Sequence, residues 1–184
     1  YVTEDVVQIV VDLAAKERGF QPKLFRLLQE IDAKFTNEDV LRTICGMLIR
    51  ANLTGEQYHS YFERGVEKGF KLIGLQEAYI RSMDKKQYAL IPESVTRYLV
   101  YSSTVTDYEM AYVYACLIKN KTAYGSLYIE LAPSIENYME QQILKGAINE
   151  FLLVIYQEFL KPESVNPKYA AKLTNIIFKR RLRS

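Results

Sequence analysis

The sequence predicts an all-α protein: stacked helical hairpins, α-solenoid-like, merging into a C-terminal helical bundle, about eight or nine helices in all. Three observations predict this. Apolar residues recur at helical spacing along most of the chain, and no segment sustains period-two alternation. Helix-start signals also recur just ahead of the periodic runs: Thr3-Glu4-Asp5, Thr36-Asn37-Glu38-Asp39, Thr54-Gly55-Glu56-Gln57 and Thr106-Asp107-Tyr108-Glu109. In each, the threonine oxygen is placed to accept from an orphan N–H of the first turn while the residue three on reaches back.

The elements follow in order. Thr3 is expected to cap a helix from Glu4 to Arg18 with Val6, Val7, Val10, Leu13 and Ala14 on one face, stopped at Gly19 by the left-handed conformation glycine tolerates. Pro22 opens a second helix, where its missing N–H costs nothing, with Leu24, Leu27, Leu28, Ile31 and Phe35 as its stripe. A third helix carries Val40, Leu41, Ile44, Met47 and Leu48, and a fourth carries Tyr58, Tyr61, Phe62 and Val66 before Gly69. At an offset of 34 the two pairs correspond: Glu4, Asp5 and Val6 match Glu38, Asp39 and Val40, and Leu24, Leu27 and Leu28 meet Tyr58, Tyr61 and Phe62. Helices are then expected over Lys71–Met83, from Pro92 to Ser102, and from Thr106 to Lys119. A short helix follows, stopping by Pro133. The longest periodic stretch, Ser134 to Leu160, reads as one helix and the spine of the C-terminal half. A last helix runs from Lys168 to Arg181. The 184 residues are read as a single domain, with two hairpins over 3–70 and the bundle over 71–184.

Composition bounds the function classes. Hydrophobic residues make up 49% and charged residues 25%, the balance of a soluble globular chain rather than a disordered one. A chain of this length buries roughly 70% of its unfolded surface, so it needs no metal or disulfide staple. Cys45 and Cys116 fall inside predicted helices and are expected as free buried thiols, which suits a reducing compartment, the cytoplasm or the mitochondrial matrix. No apolar run reaches a membrane span, and no signal peptide is read. The sequence begins with Tyr1 rather than Met, which fits either a trimmed fragment or a removed leader. Charge is uneven: after Glu163 there is no acid, while Lys168, Lys172, Lys179, Arg180, Arg181 and Arg183 crowd the end, leaving 18 basic against 22 acidic residues elsewhere.

No catalytic or metal constellation emerges, and no cofactor is expected. His59 is the only histidine and has no ligands at zinc spacing. Glu136 and Glu140 lack the Glu-x-x-His partner of a di-iron bundle. The acid pairs Glu4/Asp5 and Glu38/Asp39 offset helix dipoles. Gly65 to Gly74 lacks the Gly-Lys-Ser/Thr of a phosphate loop, and Gly125-Ser126 lacks the setting of a nucleophile elbow.

Two features point toward binding. Tyrosine is abundant, 15 residues with no Trp, and Tyr98, Tyr101, Tyr108, Tyr112 and Tyr114 crowd two neighbouring helices. They suit core-rim packing, a protein contact surface or base stacking. The cluster Lys179, Arg180, Arg181 and Arg183 suits either phosphate contact, with RNA or another anionic surface, or compensation of a helix C-terminus.

The stretch Glu38 to Phe70, ending in Phe62-Glu63-Arg64-Gly65-Val66-Glu67-Lys68-Gly69-Phe70, resembles one unit of the pentatricopeptide class of helical-hairpin repeats, with the preceding unit a looser match. That resemblance implies a right-handed α-solenoid binding single-stranded organellar RNA. The acidic body and the absence of catalytic residues instead predict a non-enzymatic scaffold or adaptor, a subunit that binds protein partners. Its basic tail would contact RNA or another anionic surface. An organellar RNA-binding repeat protein is the alternative.

Overall fold

The computed structural model describes residues 2–102, 105–159, 161 and 167–181, and their regular secondary structure is entirely helical. Eleven helices follow in order: α1 Glu4–Lys16, α2 Pro22–Phe35, α3 Glu38–Arg50, α4 Glu56–Glu67, α5 Gln76–Arg81, α6 Glu93–Tyr101, α7 Asp107–Lys119, α8 Lys121–Tyr124, α9 Ser126–Lys145, α10 Glu150–Phe159 and α11 Pro167–Arg181. The all-α prediction therefore holds, with more helices than the eight or nine expected. The chain divides into two compact units, Tyr1–Met83 and Asp84–Ser184.

In the first unit α1 packs on α2 and α3, α2 packs on α3, and α3 packs on α4, so the two hairpins lie one against the other. Two side-chain links join α2 to α4: Gln29 donates to the Tyr61 hydroxyl at 3.1 Å, and Arg64 pairs with buried Asp32. Gly65 permits the close approach inside the second hairpin. A Cβ there would meet Leu72 Cδ1 at 2.9 Å and Leu41 Cδ2 at 3.1 Å. Left-handed Gly69 then ends α4: the Phe70 N–H reaches the Gly65 carbonyl at 3.0 Å and the Gly69 N–H reaches Val66 at 2.9 Å.

The helix starts differ from the threonine pattern. Only Thr106 forms the expected box, exchanging hydrogen bonds with Glu109 at both ends. Thr36 instead takes a left-handed conformation and ends α2, leaving Asn37 to cap α3 by accepting from the Asp39 N–H at 2.8 Å. Asparagine outcompetes threonine here because its carbonyl reaches the same donors. Gly55 rather than Thr54 precedes α4, and Thr3 makes no side-chain cap bond. Helix α1 ends at Lys16 with Glu17 extended, so Gly19 is not its left-handed stop.

In the second unit α7 is the core helix. Ten consecutive residues, Glu109 to Ile118, are buried, and α6, α8, α9 and α10 all pack on it. The single helix expected over Ser134–Leu160 is two. Gly146, left-handed, ends α9: the Ala147 N–H donates to Gln142 and the Gly146 N–H to Ile143, both at 3.0 Å. The Asn149 side chain then opens α10 by accepting from Phe151 and Leu152 at 3.0 and 2.8 Å. Pro133, expected as a stop, lies inside α9. The carbonyl it leaves unpaired belongs to Ile129, an exposed residue open to water. Leu160 lies outside the described residues.

Leu152 is buried in α10 against this core. Leu152→Ala should cost about 2–5 kcal/mol in denaturant unfolding. A loss under about 0.5 kcal/mol, the size of an ordinary surface substitution, would remove α10 from the core.

Candidate interaction surfaces

The tyrosines come first, because their number demanded a role. A tyrosine in a core must find a partner for its hydroxyl, and loops leave carbonyls without one. Here the two needs meet. Tyr58 donates to the Leu75 carbonyl at 2.5 Å, Tyr124 to Ile91 at 2.8 Å, Tyr156 to Ala147 at 2.8 Å, and Tyr138 to the Asp107 carbonyl. Tyr112 donates to Gln87 at 2.7 Å and Asp84 at 3.2 Å while its ring packs edge-on against Phe151. These tyrosines pin connecting segments to helices.

The predicted contact set therefore does not form one surface. Tyr112 is fully buried and Tyr114 is 5% exposed, so neither can meet a partner. Burial pushes the Tyr114 hydroxyl up to about 12. Tyr98 is half-buried. Tyr101 and Tyr108 are exposed, and Tyr108 donates to Glu150 at 2.9 Å. The signal that misled was helical proximity: Tyr108, Tyr112 and Tyr114 share one helix, but α7 is buried nearly all round.

In the basic set, Lys179 is exposed near the end of α11. Arg180 and Arg181 belong to that helix by backbone, their side chains lying outside the described residues, as does Arg183 entirely. Lys172, two turns earlier, is exposed as well.

His59 lines an open cleft of about 670 Å³ with Glu56, Glu63, Glu67 and Ser82. Its Nε2 lies 2.7 Å from Ser82 Oγ, and Ser82 itself donates to the Tyr79 carbonyl at 3.1 Å. The pair bridges α4 and the end of α5. Burial depresses the histidine below its ordinary value, partly opposed by Glu63 and the Tyr79 carbonyl. Cys45 and Cys116 are free and buried. Burial raises their thiols to about 12 and about 11, which makes them unreactive. Among the described residues no group of three or more His, Cys, Asp or Glu side chains could hold a metal ion. No described helix is long and apolar enough to cross a membrane.

The most exposed organised apolar feature of the first unit is α1. The sequence suggests one face of Val6, Val7, Val10, Leu13 and Ala14; the structure shows two. Val7, Val11 and Ala14 are buried against α2 and α3. Val6, Ile9 and Leu13 form a second stripe, 43%, 59% and 56% exposed, and Val2, just before the helix, is exposed as well. The positions of α3 that match these at the 34-residue offset differ in burial. Val6 and Leu13 answer to Val40 and Met47, which are fully buried in α3. Leu41, the counterpart of buried Val7, faces Gly65 of its own hairpin. Helix α3 packs on α1 and α2 as well as on α4. Among the described residues the Val6, Ile9 and Leu13 arc of α1 stays exposed, and its spacing of three and four residues was legible in the sequence as a second stripe.

Fold and surfaces together define an all-α protein whose first unit is a pair of packed helical hairpins with one open stacking face. Within that class, the chain belongs over residues 1–184 to a family of unknown function, DUF5717, matching its N-terminal part. No curated protein and no solved structure matches it.

Two measurements check these assignments. Tyr112→Phe should cost about 1–2 kcal/mol, because two loop carbonyls lose their donor. Tyr101→Phe should stay within about 0.5 kcal/mol, and equal costs for both would contradict the pinning role. Because His59 is held neutral, the folded state binds fewer protons there than the unfolded chain. Stability should therefore fall as pH drops below about 6.5 and level off below the depressed folded value, and His59→Gln should flatten this part of the profile. An unchanged profile in the variant would show that the histidine does not titrate with folding.

Proposed function

We propose that this protein is a non-enzymatic helical scaffold, a subunit that holds protein partners through the exposed apolar face of α1. The observation that carries this reading is the exposed stripe Val6, Ile9 and Leu13 on α1, set beside the fully buried Val40 and Met47 at the positions of α3 that match Val6 and Leu13. An exposed apolar stripe on a packed helix marks a contact. The pinned tyrosines support a structural rather than a chemical role for the polar groups of the interior.

The basic end of α11 is a second element of the proposal. Exposed Lys172 and Lys179 suit an anionic surface, and RNA is the polyanion that the hairpin phrase at Phe62 to Phe70 would imply.

Affinity capture from the native source tests both. Wild-type protein should retain one or more proteins in stoichiometric amount, and Ile9→Asp with Leu13→Asp should lose them. Recovery of RNA alone, or of the same proteins with the double variant, would contradict the scaffold reading. Removing Lys179 to Ser184 should abolish RNA binding in a filter assay and leave helicity unchanged. RNA affinity that survives would place binding in the body of the protein and favour the organellar RNA-binding alternative.

A further inference from the structure

A cavity of about 380 Å³ opens within the second unit between the end of α6, helix α7 and the middle of α9. Its volume falls in the range of small-molecule sites. Val100, Val105 and Met110 line it on the α6 and α7 side and are apolar. Ser134, Asn137 and Gln141 line it on the α9 side, three and four residues apart and so on one helix face. Tyr114 of α7 and Tyr138 of α9 also line it, their ring centroids 5.0 Å apart.

The polar groups of this cavity are not used up by the fold. Tyr58, Tyr112, Tyr124 and Tyr156 each place the hydroxyl on a backbone carbonyl, and Tyr138 does the same on Asp107. Tyr114 departs from that pattern. It is only 5% exposed, yet among the described residues its hydroxyl has no hydrogen-bond partner. A buried hydroxyl left in that state is costly, and a molecule in the cavity supplies the missing partner. The side chains of Ser134, Asn137 and Gln141 also make no hydrogen bond among the described residues. A protein surface cannot reach Tyr114, but a small molecule that enters the cavity meets it.

Charge and the placement of polar groups narrow the ligand. Asp107 is the one charged side chain among the described lining residues, and its carboxylate is paired with Lys145 at 2.7 Å. A cationic ligand would compete with that lysine, and an anionic one would meet the carboxylate, so the cavity suits an uncharged molecule. A purely apolar ligand would leave Tyr114 and the two amides without partners. A sugar carries hydroxyls around its whole rim and would strand some against Val100, Val105 and Met110. A nucleobase has apolar faces and a polar edge, and the primary amides of asparagine and glutamine match the adjacent donor and acceptor of such an edge.

We propose that this cavity binds an uncharged nucleobase or nucleoside. The base edge meets Asn137, Gln141 and the Tyr114 hydroxyl, and its face lies on Val100, Val105 and Met110. This site is separate from the α1 face and does not depend on the scaffold reading.

Ligand titrations of the full chain followed by saturation-transfer NMR test it, using adenosine, guanosine, cytidine and uridine, each beside its 5′-monophosphate, with glucose as the uncharged polyol. At least one nucleoside should bind, its monophosphate at least about tenfold more weakly, and glucose not at all. Asn137→Ala with Gln141→Ala, both at exposed positions, should weaken the nucleoside by about tenfold or more. Tyr114→Phe should weaken it by about fivefold, the size of one hydrogen bond, while unfolding at the same denaturant concentration as the wild type. Binding of no nucleoside, binding of a monophosphate as tightly as its nucleoside, binding of glucose, or full affinity in the double alanine variant would overturn the proposal. So would a Tyr114→Phe protein that unfolds at lower denaturant, because the hydroxyl would then have its partner within the fold.

Discussion

A helical hairpin cannot bury both faces of its helices by itself, and the first unit is organised by that constraint. Each hairpin must find a neighbour for the arc its own turn-mate does not cover. Helix α3 meets the requirement twice over, with Leu41 against Gly65 of its own partner and further packing on α1 and α2 of the preceding hairpin. Helix α1 meets it once. Fully covering a leucine- or isoleucine-sized side chain is worth about 1.5–3 kcal/mol, so the exposed arc of Ile9 and Leu13 leaves several kilocalories of hydrophobic contact unrealised. This deficit belongs to the same packing rule that holds the rest of the unit together.

The second unit solves a different problem. Its core helix α7 is surrounded, and the segments that thread around it expose backbone carbonyls that need donors. Tyrosine answers this need because one side chain supplies both a packing ring and a hydroxyl. Tyr112 packs on Phe151 and reaches Gln87; Tyr124 reaches Ile91; Tyr156 reaches back to Ala147, just after the Gly146 break. Asn120 works beside them, donating to the Tyr88, Ala89 and Cys116 carbonyls. Elsewhere in the same unit Glu158 sits between Lys121 and Lys161, at 2.7 and 2.6 Å. Burial would raise its carboxyl, but the two ammonium groups hold it below its usual range.

Much of the architecture was legible in the residues. Helical periodicity gave the class, and the cap and stop residues marked four helices over the first 70 residues, which pack as α1 on α2 and α3, α2 on α3, and α3 on α4. Boundaries were less so, for identifiable reasons. Thr36 followed by Asn37 offers two caps, and only geometry decides which residue turns left-handed. Gly146 inside an apolar stretch looks tolerable until Asn149, three residues on, is recognised as a fresh helix start. Pro133 looks like a stop unless the carbonyl it orphans can face water. The surface was the hardest to read, because apolar residues at helical spacing look alike whether they face a core or a partner. On α1 the discriminating feature was the width of the apolar arc, too wide for one face and split into two stripes by the fold.

The central claim is that the α1 face is vacant in the isolated protein and filled in its native assembly. Hydrogen exchange measured on the protein alone, and again on the complex isolated from its native source, tests it most directly. The account predicts that amides of Glu4–Lys16 exchange faster than those of Glu38–Arg50 in the isolated protein, and gain strong protection in the complex. Protection of Glu4–Lys16 that is unchanged between the two samples would contradict it.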